Sequence, residues 1–441
     1  MIDASVAGVI KLRSRLQVAA FVFCAFCCVF FVVKGFHDES ITLKGFDFTP
    51  LYSGARCLLK HCDAYNSDQI RKTYVESGGD ASNIKPFRPF NANYPPSALF
   101  LILPLATMPW GFALIIWLCV SAALFVVATL LVVDLCNVDT TGIAVFLLGL
   151  FVASSTILMM LAQPAGPAIG FCVIAVWCLI KKKFPVIYVV CFALSLTLKP
   201  HLGGLIWLYF FLNGGMARRR MAQVLIVTLI MCSAGMTWAW LTPQMTNWPK
   251  ELRENLIGIA AHGNASDPGP ANDEASAITD LQAAISVIRD NRALYNPVSF
   301  VVTGGLILIW CFVSLWAPSS IKKDLFGIAA GVYLGFLPIY HRQYDTRLLL
   351  LAFPATALLL SEGGIGGVLA FLLSVATIIG TSHTYSHMVN TYAASRVAPM
   401  GRLETILLLR PLPVMLLLGG IFYLVCYTRV LDLKQRRLSR E

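Results

Sequence analysis

Leu16-Gln17-Val18-Ala19-Ala20-Phe21-Val22-Phe23-Cys24-Ala25-Phe26-Cys27-Cys28-Val29-Phe30-Phe31-Val32-Val33-Lys34-Gly35-Phe36 is a near-continuous apolar run behind Lys11, Arg13 and Arg15. Roughly 20 such residues cross a bilayer as a helix. The run is too long for a signal-peptide core, and no small-residue cleavage site follows it. Its basic flank places the N-terminus in the cytoplasm and the next segment outside. The rest of the chain agrees. Of 441 residues, 57% are hydrophobic and 13% charged, and the mean hydropathy is +0.73. A soluble domain carries about 25% charged residues, so the sequence reads as an all-α polytopic membrane protein. The net charge of +11 falls in short clusters between apolar runs. That is the positive-inside pattern, and it calls for no nucleic-acid partner.

Further apolar segments lie at 110–133, 142–161, 165–180, 184–198, 201–214, 221–241, 297–317, 325–340, 346–361, 364–381 and 405–427. With the first run they make about twelve crossings of one transmembrane domain over 1–441, several of them shorter than the roughly 17 residues an upright span needs. Lys181-Lys182-Lys183, Arg218-Arg219-Arg220, Lys322-Lys323 and the tail from Lys434 to Arg440 mark the cytoplasmic side, with both termini. The short piece 98–108, interrupted by Pro104, is then a re-entrant or interfacial helix on the outer side. Irregular backbone at that depth needs protein or a water-filled cavity around it. Gly363 to Gly367 fits a tight cytoplasmic hairpin. The long outer connections are 37–97 and 242–296. The second carries Ile278, Leu281, Ile285 and Ile288 at helical spacing within 273–290. That helix would lie over the cavity or pack on the bundle. A third outer loop, 381–404, holds His383 and His387 with no third ligand in sequence, and reads as polar loop.

Beyond the first span stands Gly45-Phe46-Asp47-Phe48-Thr49-Pro50-Leu51-Tyr52, with Thr49 as helix N-cap and Pro50 at the first helical position. Asp47 is a lone carboxylate between two aromatic residues. It suits a general base beside a membrane, and equally a charge facing the positive end of the helix that follows. Two polar groups interrupt apolar segments on the same side: Leu198-Lys199-Pro200-His201, and Tyr340-His341-Arg342-Gln343-Tyr344-Asp345-Thr346-Arg347. Ionisable residues at membrane depth are costly and often functional. Lys199, His201, His341, Arg342 and Arg347 together suit the phosphate of a lipid-linked substrate. For a single Lys or Arg, snorkelling or pairing with Asp345 is the simpler role.

Cys24, Cys27 and Cys28 read as small hydrophobes in an apolar helix. Cys57 and Cys62 lie together on the outer side, where a disulfide persists. No phosphate-binding Gly-rich loop with Lys, no H-E-x-x-H and no G-x-S-x-G occurs, so ATP-driven transport, zinc proteolysis and serine hydrolysis lack their signatures. No D-x-D pair stands ready for a metal-bound nucleotide sugar.

The order of these pieces resembles bacterial family 87 glycosyltransferases of the GT-C superfamily. It comprises Phe46-Asp47-Phe48 with Tyr52 and Ala55, Tyr94-Pro95-Pro96, Leu103-Pro104-Leu105, Gln163-Pro164, Leu198-Lys199-Pro200, and His341 with Tyr344-Asp345. Gln163-Pro164 departs from the Gly-Gln followed by Asn expected there. Members of that family include mannosyltransferases that use polyprenyl-phosphate mannose. The resemblance implies a GT-C-type bundle with short helices in its outer loops. It also implies an inverting sugar transfer on the outer face of the bacterial cytoplasmic membrane. Asp47 would deprotonate the acceptor, and His341 would contact the donor phosphate with Lys199, Arg347, Arg342 and His201 in support. Tyr52, Tyr94 and Tyr344 would line the acceptor side of the cavity. The partners are a lipid-linked sugar donor, membrane lipids and a glycolipid or glycan acceptor. No cofactor and no metal are required if side chains hold the leaving phosphate. The alternative is a flippase or transporter of a lipid-linked sugar, using the same cations without a base; the inverted repeats it would favour are not visible.

Overall fold

A computed structural model describes residues 2–42, 45–83, 92–136, 142–317, 320–396 and 400–438. Side-chain placements at 2–14, 39–42, 83 and 431–438 lie outside the described set, and with them Lys11, Arg13, Lys434, Arg436 and Arg437. Among the described residues the chain is almost entirely helical, without a strand. In order come α1 (Ile2–Thr42), α2 (Phe48–Lys60), α3 (Ser67–Glu76), α4 (Pro96–Ala106), α5 (Trp110–Leu135), α6 (Ile143–Ala153) and α7 (Ile157–Met160). Next are α8 (Ala165–Ile180), α9 (Pro185–Leu198), α10 (Pro200–Leu212), α11 (Gly215–Leu241), α12 (Trp248–Ile259), α13 (Leu281–Ile288), α14 (Arg292–Trp316) and α15 (Ile321–Gly335). A 3-10 stretch, Asp345–Ala352, leads into α16 (Phe353–Glu362), α17 (Gly364–Gly380), α18 (His383–Ser395), α19 (Arg402–Glu404) and α20 (Pro411–Leu438).

Six described segments are long and apolar enough to cross a membrane: Arg15–Asp38, Trp110–Leu135, Ile143–Met160, Gly215–Leu241, Arg292–Trp316 and Pro411–Val430. The pair α17–α18, bent by 66°, would make a seventh if it is one broken span and not a re-entrant loop. Helices α4, α8, α9 and α10 are apolar but short, so helices of crossing length alone do not reach the expected twelve. Pro338 follows the end of α15, and 345–352 forms a 3-10 turn, which divides the two segments read from sequence as 325–340 and 346–361.

The bundle buries α8 between α5 and α9, packs α15 on α20 and α1 on α6, and seats α2 on α4. Helix α11 packs on α4 and α9. Gly235 makes that approach possible, because a Cβ there would come within 2.6 Å of Ser97 Cα. Small residues let helices meet this closely. The other faces of α11 and α14 expose Ile226, Leu229, Ile230, Val301 and Leu308. Water would not tolerate so large an apolar surface, but lipid selects it.

Several local readings change. Helix α13 occupies 281–288, not 273–290, because Asp280 caps its start by accepting from Ala283 N–H at 3.0 Å. Ile278 is extended instead and forms a backbone bridge with Arg342, while Ile288 is exposed. The 381–404 loop contains α18, capped by Ser382, which accepts from Tyr385 N–H at 3.0 Å. His383 and His387 are exposed on it. Lys323 is buried and donates to the carbonyls of Ser314 and Ala317 at 3.0 and 2.9 Å. It caps the end of α14, a structural use of one basic marker. The three cysteines of α1 are buried free thiols, whereas Cys57 and Cys62 form a disulfide with Cα atoms 4.7 Å apart.

Candidate active site

Asp47 is set by the turn before it. Gly45 has φ of +79°, a conformation that favours glycine. Its carbonyl accepts from the N–H groups of Phe48 and Thr49 at 3.0 and 2.9 Å, and from Thr49 Oγ1 at 2.8 Å. The helix therefore starts at Phe48, earlier than the Thr49-Pro50 pair suggests, and Asp47 itself takes the N-cap position. Its side chain makes no capping hydrogen bond. The carboxylate turns away instead and accepts from Gln163 Nε2 at 2.5 Å. That orientation counts against the helix-end reading of Asp47.

The surroundings of Asp47 come from four distant parts of the chain. Its N–H donates to Leu161 O at 3.0 Å. Phe48 stacks on Trp117 of α5, with centroids 4.6 Å apart and planes 10° from parallel. The Trp117 indole N–H donates to Ala162 O at 2.9 Å. On the facing side, Lys199, between α9 and α10, donates to Asp345 Oδ1 at 2.8 Å and lies 4.8 Å from the Tyr344 ring centroid. His341 is fully buried, with its ring centroid 4.8 Å from that of His201 and Nδ1 3.5 Å from Asp345 Oδ2. Neither ring nitrogen of His341 has a hydrogen-bond partner among the described residues. A buried polar group left so is costly unless something completes it.

Gln163, Lys199, His341 and Asp345 are buried, while Asp47, Tyr94, His201, Arg342 and Tyr344 keep partial exposure. The charges of the cluster are coupled. Burial pushes the Asp47 carboxyl above the usual carboxylate range, against the opposing pull of Arg342, Lys199 and the Gln163 hydrogen bond. Burial also acts to raise Asp345, but Lys199 and His341 more than offset it and hold that carboxyl low. Two carboxylates in one site therefore differ: Asp345 is fixed as an anion, and Asp47 is the more basic.

The connection after α11 packs over this group. Thr279 N–H donates to His341 O at 3.0 Å, and Gln343 N–H to Ala277 O at 2.9 Å. Arg342 donates to Glu274 Oε2 at 2.9 Å and to Ala265 O at 2.7 Å. His201, His341 and Asp345 present three possible ligand atoms within 4.8 Å of one another. However, Lys199 holds Asp345 Oδ1, and Arg342 N–H lies 3.2 Å from Oδ2. Both carboxylate oxygens already serve a donor, so the group reads better as a buried ion pair flanked by two imidazoles than as a metal site.

Two expected site residues point elsewhere. Arg347 is fully buried and donates to Ser154 Oγ at 3.2 Å, Thr381 Oγ1 at 3.0 Å and the Thr381 carbonyl. It also lies over the Phe151 ring. It ties the 3-10 stretch to α6 and α17, since the helical turn after Asp345 rotates it away from Lys199. Tyr52 is buried as well, donating to Met108 O at 2.6 Å and packing edge-on against Trp110. Trp117 and Glu274 lie 70 and 227 residues from Asp47 and no local pattern marks them; Gln163, 116 residues away, stands out in sequence only through the Gln163-Pro164 element of the resemblance, with no role attached.

The family model for glycosyltransferase family 87 matches residues 92–338, more than half of the chain. The chain belongs to glycosyltransferase family 87. It is accordingly a multi-pass membrane glycosyltransferase, and its partners are a sugar donor and a glycan or lipid acceptor. No curated protein and no solved structure matches it. The family match includes Tyr94, Gln163, Lys199 and His201 and ends before His341; Asp47 precedes it.

Proposed function

We propose that this family 87 enzyme transfers a sugar from a polyprenyl-phosphate donor to a hydroxyl of a cell-envelope glycolipid or glycan, with Asp47 as general base. Mannose, or another hexose or pentose, is the sugar the resemblance favours. The reaction lies on the outer face of the bacterial cytoplasmic membrane. One observation carries the reading: Asp47 leaves its own helix end uncapped and turns its carboxyl, raised by burial, toward Gln163 and the field of Arg342 and Lys199. A sugar hydroxyl becomes a competent nucleophile as its proton passes to such a base.

In the reaction the acceptor O–H proton moves to Asp47. The acceptor oxygen bonds to the anomeric carbon from the face opposite the phosphate. The bond from that carbon to the phosphate oxygen breaks, its electron pair leaves with the polyprenyl phosphate, and the configuration inverts. Lys199, His201, His341 and Arg342 stand where they would receive the developing charge on the leaving phosphate. His341 Nε2 is the most available of these, since Nδ1 faces Asp345 and Lys199 and Arg342 already pair with Asp345 and Glu274. Tyr94 and Tyr344 supply partly exposed rings for the sugar.

Incubating purified protein with polyprenyl-phosphate mannose and a glycolipid extract tests this. The expected result is a new glycolipid, detected by mass spectrometry, with the anomeric configuration opposite to that of the donor. Transbilayer movement of the donor with no new glycosidic bond would overturn the reading in favour of a transporter.

A further inference from the structure

The segment between α7 and α8 supplies the only hydrogen-bond partner that Asp47's carboxylate has among the described residues, and that segment is strained. Ala162 has φ of +50°, a left-handed conformation that is unfavourable for a non-glycine residue. Such strain persists only where its surroundings over-determine it. Here Trp117 donates to the Ala162 carbonyl at 2.9 Å, and Gln163 N–H donates to Leu158 O at 2.8 Å. The turn aims a buried Gln163 side chain at Asp47. The orientation of the amide is fixed by its neighbours: Oε1 faces Ala165 N–H at 3.4 Å, so Nε2 faces the carboxylate. Trp117 closes the loop by stacking on Phe48, the residue after Asp47. One indole therefore registers the base and its amide partner against each other.

We propose that Gln163 is the positioning residue of the base: its carboxamide holds Asp47 Oδ2, leaving Oδ1 to accept the acceptor proton, and Trp117 fixes the strained turn that delivers it. This rests on the reading of Asp47 as the base. The charged and titratable groups facing Asp47 are Arg342, Lys199, Asp345, Tyr94 and Tyr344. Among the side chains acting on it, Gln163 is the neutral one that favours the ionised form. Its loss raises the affinity of Asp47 for a proton. A glutamine that only packed in the turn, without donating to the carboxylate, would leave that affinity and the acidic limb unchanged.

The test compares wild type with Gln163→Leu, Gln163→Met and Trp117→Phe, all as full chains in detergent micelles. Trp117→Phe keeps an aromatic ring against Phe48 but loses the indole donor. Infrared difference titration reads the Asp47 carboxyl directly, with Asp47→Asn identifying its band and no substrate needed. Transfer from polyprenyl-phosphate mannose to a glycolipid extract is followed against pH in parallel. Gln163→Leu and Gln163→Met are expected to move the Asp47 titration, and the acidic limb of the rate profile, to higher pH. At a pH below the wild-type limb midpoint, transfer falls about ten- to hundredfold. Trp117→Phe shifts both in the same direction by less. If both titration and limb superimpose on wild type in folded variants, the proposal is overturned. If one Gln163 variant does not fold, the other and Trp117→Phe carry the same comparison. If the titration shifts while Asp47→Asn still transfers sugar, Gln163 tunes Asp47 but Asp47 is not the base, and the parent reading fails instead.

Discussion

Replacing Lys199 by methionine removes an ammonium and keeps an unbranched stem of similar reach. The ammonium nitrogen lies 2.8 Å from Asp345 Oδ1, with the two side chains 8% and 4% exposed. At an effective dielectric constant of about 20, charges that close attract by about 6 kcal/mol. Desolvation of both ions offsets much of this, so the intact pair contributes little net stability. The broken pair is another matter. Asp345 would keep only Arg342 N–H at 3.2 Å and His341 Nδ1 at 3.5 Å, leaving a buried carboxylate short of charge. Removing one partner of such a pair costs about 3–5 kcal/mol. The double variant Lys199→Met/Asp345→Asn removes the orphaned charge and should lose less than half of that. Unfolding of the purified protein by SDS in mixed micelles measures both values. A single variant within about 1 kcal/mol of wild type would show that the pair is solvated, contrary to its burial. So would a double variant no more stable than the single.

His341 and Arg347 should separate by assay. His341→Ala should weaken donor use about ten- to hundredfold in kcat/KM for polyprenyl-phosphate sugar, with the fold retained. Arg347→Ala should instead lower stability, because its guanidinium bonds to Thr381 and Ser154 inside the bundle. Asp280 gives a pH signature: burial raises its carboxyl to about 7, against the pull of the Ala283 and Gln282 N–H groups and Arg410. The folded state then holds a proton that the unfolded state releases near pH 4. This contribution is fully present below about pH 4 and lost as pH rises through 7, up to about 4 kcal/mol. Asp280→Asn should abolish that dependence in thermal unfolding while keeping the helix cap. For Cys57 and Cys62, intact mass after alkylation should show both protected until reduction.

What the sequence discloses here is what depends on runs and neighbours. Leu16 to Phe36 announces a membrane helix, because lipid requires about 20 apolar residues in succession. Asp47 and Lys199 stand out because each is an isolated charge beside apolar segments. The pairing of Cys57 with Cys62 follows from a separation of five residues at the end of one helix. Side-chain direction is less visible. Arg347 sits in the same polar octet as His341, yet a 3-10 turn rotates it toward α6 and α17. Thr49-Pro50 reads as a helix start, but the left-handed Gly45 begins the helix at Phe48. Gln163 meets Asp47 only after α5 and the strained Ala162 turn bring them together. Glu274 reaches Arg342 through a loop whose helical spacing conceals an extended Ile278. These are long-range facts, set by packing rather than by local pattern.

The most direct test of the account is transfer by Asp47→Asn. Asparagine keeps the size of the side chain, and its carbonyl oxygen can still accept from Gln163 Nε2, so the turn from Gly45 and the helix after it should stand. It cannot take the acceptor proton. A positioned base contributes about 10²- to 10⁴-fold, whereas a helix-end charge is worth about 1 kcal/mol or less and would leave turnover intact. Purified Asp47→Asn, shown to be folded and to bind polyprenyl-phosphate mannose as wild type does, is predicted to lose transfer by at least about a hundredfold at every pH. Transfer within a few-fold of wild type would contradict the account.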